Sequence, residues 1–123
     1  MASNQQPPVA VFEIKEYMVI WRQLEERSYN GVNAKIRAIV RCSGEEYSID
    51  IIFLAPDSEV PPPHIEFEDK KGTMFMPVAD IRAVVDILRN EKPIYGHIRG
   101  DNPQWTSITT TKEPVGTGDE DHE

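Results

Sequence analysis

Two runs of alternating apolar residues, joined by a short polar segment, lie at the centre of the sequence. The first run covers residues 33–42 and the second covers residues 47–54. Apolar residues at every second position are typical of β-strands that bury one face. Gly44-Glu45 between the runs favours a tight type II′ turn, because glycine readily adopts a positive φ at the first central position. The sequence therefore predicts a β-hairpin over residues 33–54.

The position of this turn determines which side chains share a face of the hairpin. A turn centred on Gly44-Glu45 pairs Cys42 with Tyr47, Val40 with Ile49, Ala38 with Ile51, and Ile36 with Phe53. Since successive strand residues point to opposite faces, these residues form one apolar face. Lys35, Arg37 and Arg41 then lie on the opposite face, with Asp50 diagonally beside the two arginines. The hairpin is thus predicted to have one core face and one basic face.

The rest of the chain predicts one helix and further strands. The helix is expected over residues 77–90, where Ile81, Val84, Val85 and Leu88 form one apolar stripe. With the hairpin included, strands are expected at residues 9–22, 33–42, 47–54, 64–68, 73–76, 94–99 and 104–111. The order is β-β-β-β-β-α-β-β. It predicts an α+β domain in which the helix covers the apolar face of a curved, mostly antiparallel sheet.

The length and composition indicate one small globular domain. The chain has 123 residues, of which 39% are hydrophobic and 28% are charged, and its net charge is −8. We expect the domain to cover residues 9–111, with residues 1–8 and the acidic segment 112–123 disordered. No apolar run approaches the roughly 20 residues needed to span a bilayer. The first residues lack the basic and apolar regions of a secretion signal, so a cytoplasmic location without a membrane partner is expected.

The sequence carries no recognisable catalytic or metal-binding motif. Its Ser, His and acidic residues show no spacing typical of a catalytic site, so we predict no enzyme activity and no cofactor. His64, Glu66 and Glu68 alternate along a predicted strand, but neighbours about 7 Å apart are too distant to bind one metal ion without bending. The single Cys42 excludes an internal disulfide, and its place on the apolar face favours an inert core thiol.

The basic face of the hairpin is the candidate nucleic-acid site. Proteins that bind single strands combine a cationic groove, which follows the phosphates, with aromatic rings on which bases stack. The candidate residues are Lys35, Arg37, Arg41, Lys70, Lys71, Tyr17 and Trp21. The acidic balance of the whole chain argues against nonspecific nucleic-acid binding, where a basic surface is expected.

The segment Lys71-Gly72-Thr73-Met74-Phe75-Met76, followed by the helix, resembles the end of a small single-strand-binding module. That module occurs in the transcriptional-coactivator and Whirly-type families, and the resemblance covers roughly residues 11–88. It implies four strands followed by a helix, and dimers or higher oligomers that bind unpaired nucleic acid on a curved sheet. It also implies phosphate contacts for Lys35, Arg37, Lys70 and Lys71. On this basis we expect a homodimer.

Three function classes stay open at this point. The first, which we favour, is a non-enzymatic module that binds single-stranded DNA or RNA, or is associated with transcription. The second is a protein-interaction module, such as an adaptor, a chaperone-like protein or an inhibitor, that uses sheet edges, Tyr95 or Trp105. An acidic surface suits a basic protein partner through electrostatic complementarity. An enzyme without a familiar motif is the third.

Overall fold

The computed structural model describes residues 8–111, which form two β-sheets and one α-helix. A three-stranded sheet has the order β1-β7-β8, and a five-stranded sheet has the order β2-β3-β4-β6-β5. The strands are β1 Val9–Glu13, β2 Glu16–Tyr29, β3 Val32–Ser43, β4 Ser48–Leu54, β5 His64–Glu66, β6 Lys71–Pro77, β7 Tyr95–Arg99 and β8 Ser107–Thr109, with helix α1 Ile81–Asn90 between β6 and β7. The predicted α+β class with one helix and mostly antiparallel strands is confirmed, but the strands form two sheets instead of one curved sheet. The predicted segments 1–8, apart from Pro8, and 112–123 lie outside the described residues.

The first predicted strand is two strands that belong to different sheets. The chain leaves β1 at Ile14, whose N–H donates to the Ile94 carbonyl at 2.8 Å, and the next residue, Lys15, donates to the Ser43 carbonyl at 2.8 Å. β2 then continues to Tyr29, beyond the predicted strand end at residue 22, and the chain turns at Asn30-Gly31 with φ of 52° and 86°. The predicted boundaries of the first strand are therefore wrong.

The central hairpin is confirmed, but its register differs from the predicted one by two residues. Cys42 pairs with Ile49 instead of Tyr47. The Gly44 N–H donates to the Tyr47 carbonyl at 2.8 Å, so the turn is centred on Glu45 and Glu46. Because side-chain direction alternates with period two, a slip of two residues by itself leaves the side chains from Ala38 to Cys42 and from Ile49 to Phe53 on their predicted faces. The apolar face therefore keeps most of its members despite the wrong pairs.

Gly44 is required for close packing and not for the shape of the turn. Among the residues that the structure describes, the only glycine with a positive φ is Gly31. A Cβ atom at Gly44 would lie 2.6 Å from the Glu13 carbonyl oxygen and 2.7 Å from the ring of Phe12. The glycine thus lets the end of β1 lie directly against the β3–β4 turn, which explains why a turn prediction based on its φ was misplaced.

The main hydrophobic core lies between the two sheets and helix α1. Its largest fully buried side chains include Phe53, Ile51 and Ile49 from β4 and Ile98 from β7. The helix contributes the predicted stripe, with Val84 and Leu88 buried and Ile81 and Val85 packed against the same cluster. Among residues 8–111, no helix has the length and apolar character needed to cross a membrane.

A second hydrophobic cluster covers the face of the five-stranded sheet that was predicted to be basic. The register shifts between Ile36 and Ala38, so Arg37 is an extra residue in β3 and forms a β-bulge. Beyond the bulge, the side chains of β3 point to the faces opposite to those expected from uninterrupted alternation. Ile36, predicted for the core face, therefore lies on the opposite face. There it packs in a second cluster with Ala34, Ile39, Ile52, Leu54, Ile20, Tyr29 and Phe75.

The far end of the β2–β3 hairpin curls over this second cluster. The ring of Tyr29, next to the Asn30-Gly31 turn, packs edge-on against Phe75 of β6 with the centroids 4.9 Å apart. Two strands, β3 and β4, separate β2 from β6 in the sheet, so this contact requires strong curvature. The face that carries the second cluster is therefore concave, and we refer to it as the concave face.

We expect Ile51→Ala to destabilise the protein by about 2–5 kcal/mol, because the side chain is fully buried and its truncation leaves a cavity. Chemical denaturation followed by circular dichroism measures the change. Val60→Ala is the matched control, since Val60 is 68% exposed, and it should change the free energy of unfolding by less than about 0.5 kcal/mol. Equal effects of the two variants would contradict the assigned core.

Candidate functional site

The predicted basic stripe does not form on one face of the sheet. Arg41 lies on the concave face, opposite Asp50. The extra residue Arg37 reverses the alternation, so Ala34 and Ile36 share the concave face and Lys35 points to the other side. The stripe was inferred from uninterrupted alternation, which the bulge breaks. Lys35 and Arg41 are therefore on opposite faces of β3.

Four of the five predicted cations are in ion pairs with carboxylates. The Nζ atom of Lys35 lies 2.9 Å from Asp57, and that of Lys70 lies 2.9 Å from Glu46. These carboxylates raise the pKa of both lysines, and Lys35 in turn lowers the pKa of Asp57. Arg41 and Lys71 both bind Asp50, while Arg37 donates from Nε to the Arg22 carbonyl at 3.3 Å.

Asp50 is the buried centre of a three-residue charge cluster on the concave face. It is only 4% exposed. Arg41 binds it through two hydrogen bonds of 2.8 and 3.1 Å, and Lys71 Nζ lies 3.2 Å from the same carboxylate. The hydrogen bonds to Asp50 raise the pKa of Arg41. A buried carboxylate needs such partners, so these two cations are held by the fold and are not free to bind phosphate.

We expect Arg41→Met to destabilise the protein by about 1–2 kcal/mol, because it removes two hydrogen bonds from the buried Asp50. The effect stays below that of a fully buried pair, since the Arg41 side chain is 40% exposed and Lys71 still binds Asp50. Lys35→Met is the matched control, because its partner Asp57 is exposed, and its effect should be clearly smaller. Urea denaturation compares the two, and a larger loss for Lys35→Met would contradict the assigned cluster.

The single cysteine is buried in the main core. Cys42 is fully buried on the face that packs against helix α1. Burial raises the pKa of its thiol to about 12, and the nearby charge of Asp50 adds to the shift. Because the thiolate is the reactive form of cysteine, the thiol is inert in the folded protein.

We expect the native protein to resist a thiol reagent such as DTNB at pH 8, and to react fully once it is unfolded in guanidinium. The raised pKa keeps the thiol protonated up to about pH 12, and the surrounding core blocks the reagent. Absorbance of the released thionitrobenzoate measures the reaction. Rapid labelling of the native protein would contradict this account of Cys42.

The alternating residues considered as metal ligands do not converge. His64 Nε2 lies 3.1 Å from Glu66 Oε2 on β5. Glu68 follows in a 3₁₀ helix, Phe67–Asp69, and so leaves the strand alternation. Among residues 8–111, no three His, Cys, Asp or Glu side chains form a group that could hold a metal ion.

The predicted aromatic residues lie at three separate places. Tyr17 and Trp21 are on β2, and Trp21 is 60% exposed. Tyr95 is half-buried on β7. Trp105 is exposed in the 3₁₀ helix Pro103–Trp105, with the Arg99 guanidinium 5.1 Å from its ring centroid. Tyr17 and Trp21 share a face of β2, but this is not the concave face that carries Arg41.

The backbone of β3 shows which of its residues bond to each neighbouring strand. Gly44 donates to Tyr47, so Gly44 and every second residue before it bond towards β4. The intervening residues, Ser43, Arg41 and Ile39, therefore bond towards β2. The Ser43 carbonyl supports this assignment independently, because it accepts a hydrogen bond from the Lys15 N–H on that side.

The outer edge of β2 consequently presents backbone groups that no strand within residues 8–111 pairs with. The β2 residues opposite Ser43, Arg41 and Ile39 are Glu16, Met18 and Ile20. Glu16, Met18 and Ile20 therefore direct their N–H and C=O groups towards β3. The alternate residues Tyr17, Val19 and Trp21 direct theirs to the free edge. This segment, Glu16 to Arg22, is the candidate functional site, and we refer to it as the β2 edge.

Apolar side chains accompany the free backbone groups of the β2 edge. Met18 is 51% exposed on the concave face, next to the partly buried Ile20. Trp21 is exposed on the opposite face, where Tyr17 and Val19 pack against the main core. Sequence reasoning nominated Tyr17 and Trp21 as base-stacking rings but missed Met18 and the edge itself, because an edge is defined by strand order, which local alternation does not reveal.

A groove borders the β2 edge on the face that carries helix α1. It lies between the β1–β2 corner and the end of the helix, and its lining includes Ile14, Glu16, Tyr17, Leu88 and Lys92. Its apolar lining residues are Ile14, Tyr17, Leu88 and Ile94, and the remaining lining is charged or polar.

The fold and edge define a small two-sheet α+β protein with one long exposed strand. Comparison with protein-family models, curated proteins and solved structures finds no match for this chain. The resemblance to single-strand-binding modules therefore stays a prediction, and function has to be argued from the geometry.

Proposed function

We propose that this chain is a protein-interaction module that binds a strand of its partner along the β2 edge. The observation that carries this proposal is the coincidence of free N–H and C=O groups at Tyr17, Val19 and Trp21 with the exposed side chains of Met18 and Trp21. An added strand gains affinity from backbone hydrogen bonds and specificity from alternate side chains.

The lack of edge protection supports the proposal. Proteins usually guard an exposed edge with proline, inward-pointing charge, a bulge or a very short strand. β2 has 14 residues and no proline, and the segment Met18 to Trp21 carries no charge. Protection begins only beyond Trp21, where the register with β3 shifts before Glu25 and charged residues follow. The first half of β2 therefore keeps a regular, apolar edge.

The pairing of the cations favours a protein over a nucleic acid as the ligand. Lys35, Lys70, Lys71 and Arg41 each have a carboxylate partner, so phosphate would have to displace it. The net charge of −8 adds a repulsive field for a polyanion. A protein segment needs neither a cationic groove nor an open basic face.

A photo-crosslinker at the β2 edge tests the proposal. The protein carrying p-benzoylphenylalanine in place of Trp21 is irradiated in an extract of its source cells, and products are identified by mass spectrometry with and without nuclease. We expect nuclease-resistant protein crosslinks, because the side chain at this position lies beside the added strand. The matched control carries the crosslinker in place of Val60, which is also exposed but lies in the segment between β4 and β5, outside β2.

Two results would contradict the proposal. One is equal crosslinking from the two positions, which would mean that the β2 edge has no special role. The other is tight, salt-dependent binding of a labelled single-stranded oligonucleotide that is lost in the double variant Lys35→Glu/Arg37→Glu. That result would support nucleic-acid binding instead.

A further inference from the structure

We infer that the strand bound at the β2 edge is β2 of a second copy of this chain, antiparallel to the first about a two-fold axis at Val19. This inference rests on the proposed function and names its partner. The result would be a dimer in which the two five-stranded sheets continue into one another. Three observations on the β2 edge support it: its backbone pattern, its side-chain sequence and the groove beside it.

The backbone pattern allows a two-fold axis at Val19. In an antiparallel pair, residues with outward N–H and C=O groups must face each other. A centre at Val19 places Val19 opposite its own copy and Tyr17 opposite Trp21, and all three residues direct their backbone groups to the free edge. The paired segment would form about six backbone hydrogen bonds, two at each such pair.

The side chains of this segment are complementary to their own reversed sequence. Residues 16–22 read Glu-Tyr-Met-Val-Ile-Trp-Arg. Around Val19, Glu16 faces Arg22, Tyr17 faces Trp21, and Met18 faces Ile20, and each pair occurs twice by symmetry. Opposite charges, two aromatic rings and two aliphatic side chains are favourable cross-strand pairs. The exposed Met18 and Trp21 would both become covered.

Neighbouring registers lack this complementarity. A two-fold axis at Met18 would place the Glu16 carboxylate opposite the aliphatic Ile20. An axis at Ile20 would place Met18 opposite the charged Arg22. Both shifts keep the backbone pattern but oppose charge to an apolar side chain, so the side chains select the axis at Val19. Arg22 already donates from Nε to Glu25 at 2.9 Å, so a pair with Glu16 of the second copy would use its remaining N–H donors.

The groove beside Tyr17 offers a place for Trp21 of the second copy. Tyr17 lies on the helix-bearing face and lines this groove together with Leu88 and Ile14. Since Trp21 of the second copy would lie opposite Tyr17 on that same face, its indole would sit next to the groove. The register shift after Trp21 then ends the paired segment at Arg22.

The test is a set of charge reversals measured by sedimentation over a range of protein concentrations. We expect the wild-type chain to dimerise, and Glu16→Arg and Arg22→Glu each to weaken the dimer by about tenfold or more, since like charges would face each other twice. An equimolar mixture of the two variants should recover the dimer, because both cross-strand pairs then have opposite charges. Recovery also shows that each variant is folded.

Arg82→Glu on the exposed side of helix α1 is the matched control, because it makes the same charge change away from β2. Its dimer should be as tight as that of the wild type. The inference is overturned by a wild-type chain that is monomeric at every concentration, by variants that dimerise unchanged, or by a mixture that does not recover the dimer.

This experiment separates the two proposals. A monomeric chain whose crosslinker at position 21 still labels a different protein would overturn the dimer and leave the strand-addition function standing. A chain that dimerises independently of Glu16 and Arg22, and gives equal crosslinking at positions 21 and 60, would overturn both. Crosslinks at position 21 to the same chain, together with recovery in the mixture, would support both.

Discussion

The structure depends on the burial of β3 and β4 on both of their faces. One face packs against helix α1 and the three-stranded sheet, and the other packs under the curled end of the β2–β3 hairpin. In β4, regular alternation is sufficient, because every residue from Ile49 to Leu54 is buried and successive side chains point to the two faces in turn. In β3, the extra residue Arg37 changes the alternation, so that Ile36 and Ile39 share the concave face while Ala38 and Val40 stay in the main core.

Local pattern was sufficient for the fold class and for most of the core. The alternation of β3 and β4 and the stripe Ile81, Val84, Val85 and Leu88 identified the residues that pack together. Two features of the fold could not be predicted from local sequence pattern. No Gly or Pro marks the bulge at Arg37, and the split between β1 and β2 arises from hydrogen bonds to residues that are distant in sequence, such as Ile94.

The candidate site also combines features that the local sequence predicts with features that depend on residues distant in sequence. The predicted cations are real surface charges, but their carboxylate partners come from other elements, as with Asp57 for Lys35 and Glu46 for Lys70. Whether a charge is available to a ligand is therefore a property of the tertiary structure. The β2 edge is different, because the sequence of residues 16–22 by itself shows that the segment is complementary to its own reversed copy. Only the strand order shows that this segment lies at the edge of a sheet, where a second copy could pair with it.

The two hydrophobic clusters have a consequence for how the protein loses its structure. They are separated only by the backbone of β3 and β4, so neither cluster can open without displacing strands that the other cluster needs. If the cluster on the concave face opened by displacing β3 or β4, the main core on the other face of these strands would also become exposed. We therefore expect the amide hydrogens of β3 and β4 that lie beside the two clusters to exchange together, as one contiguous cooperative unit.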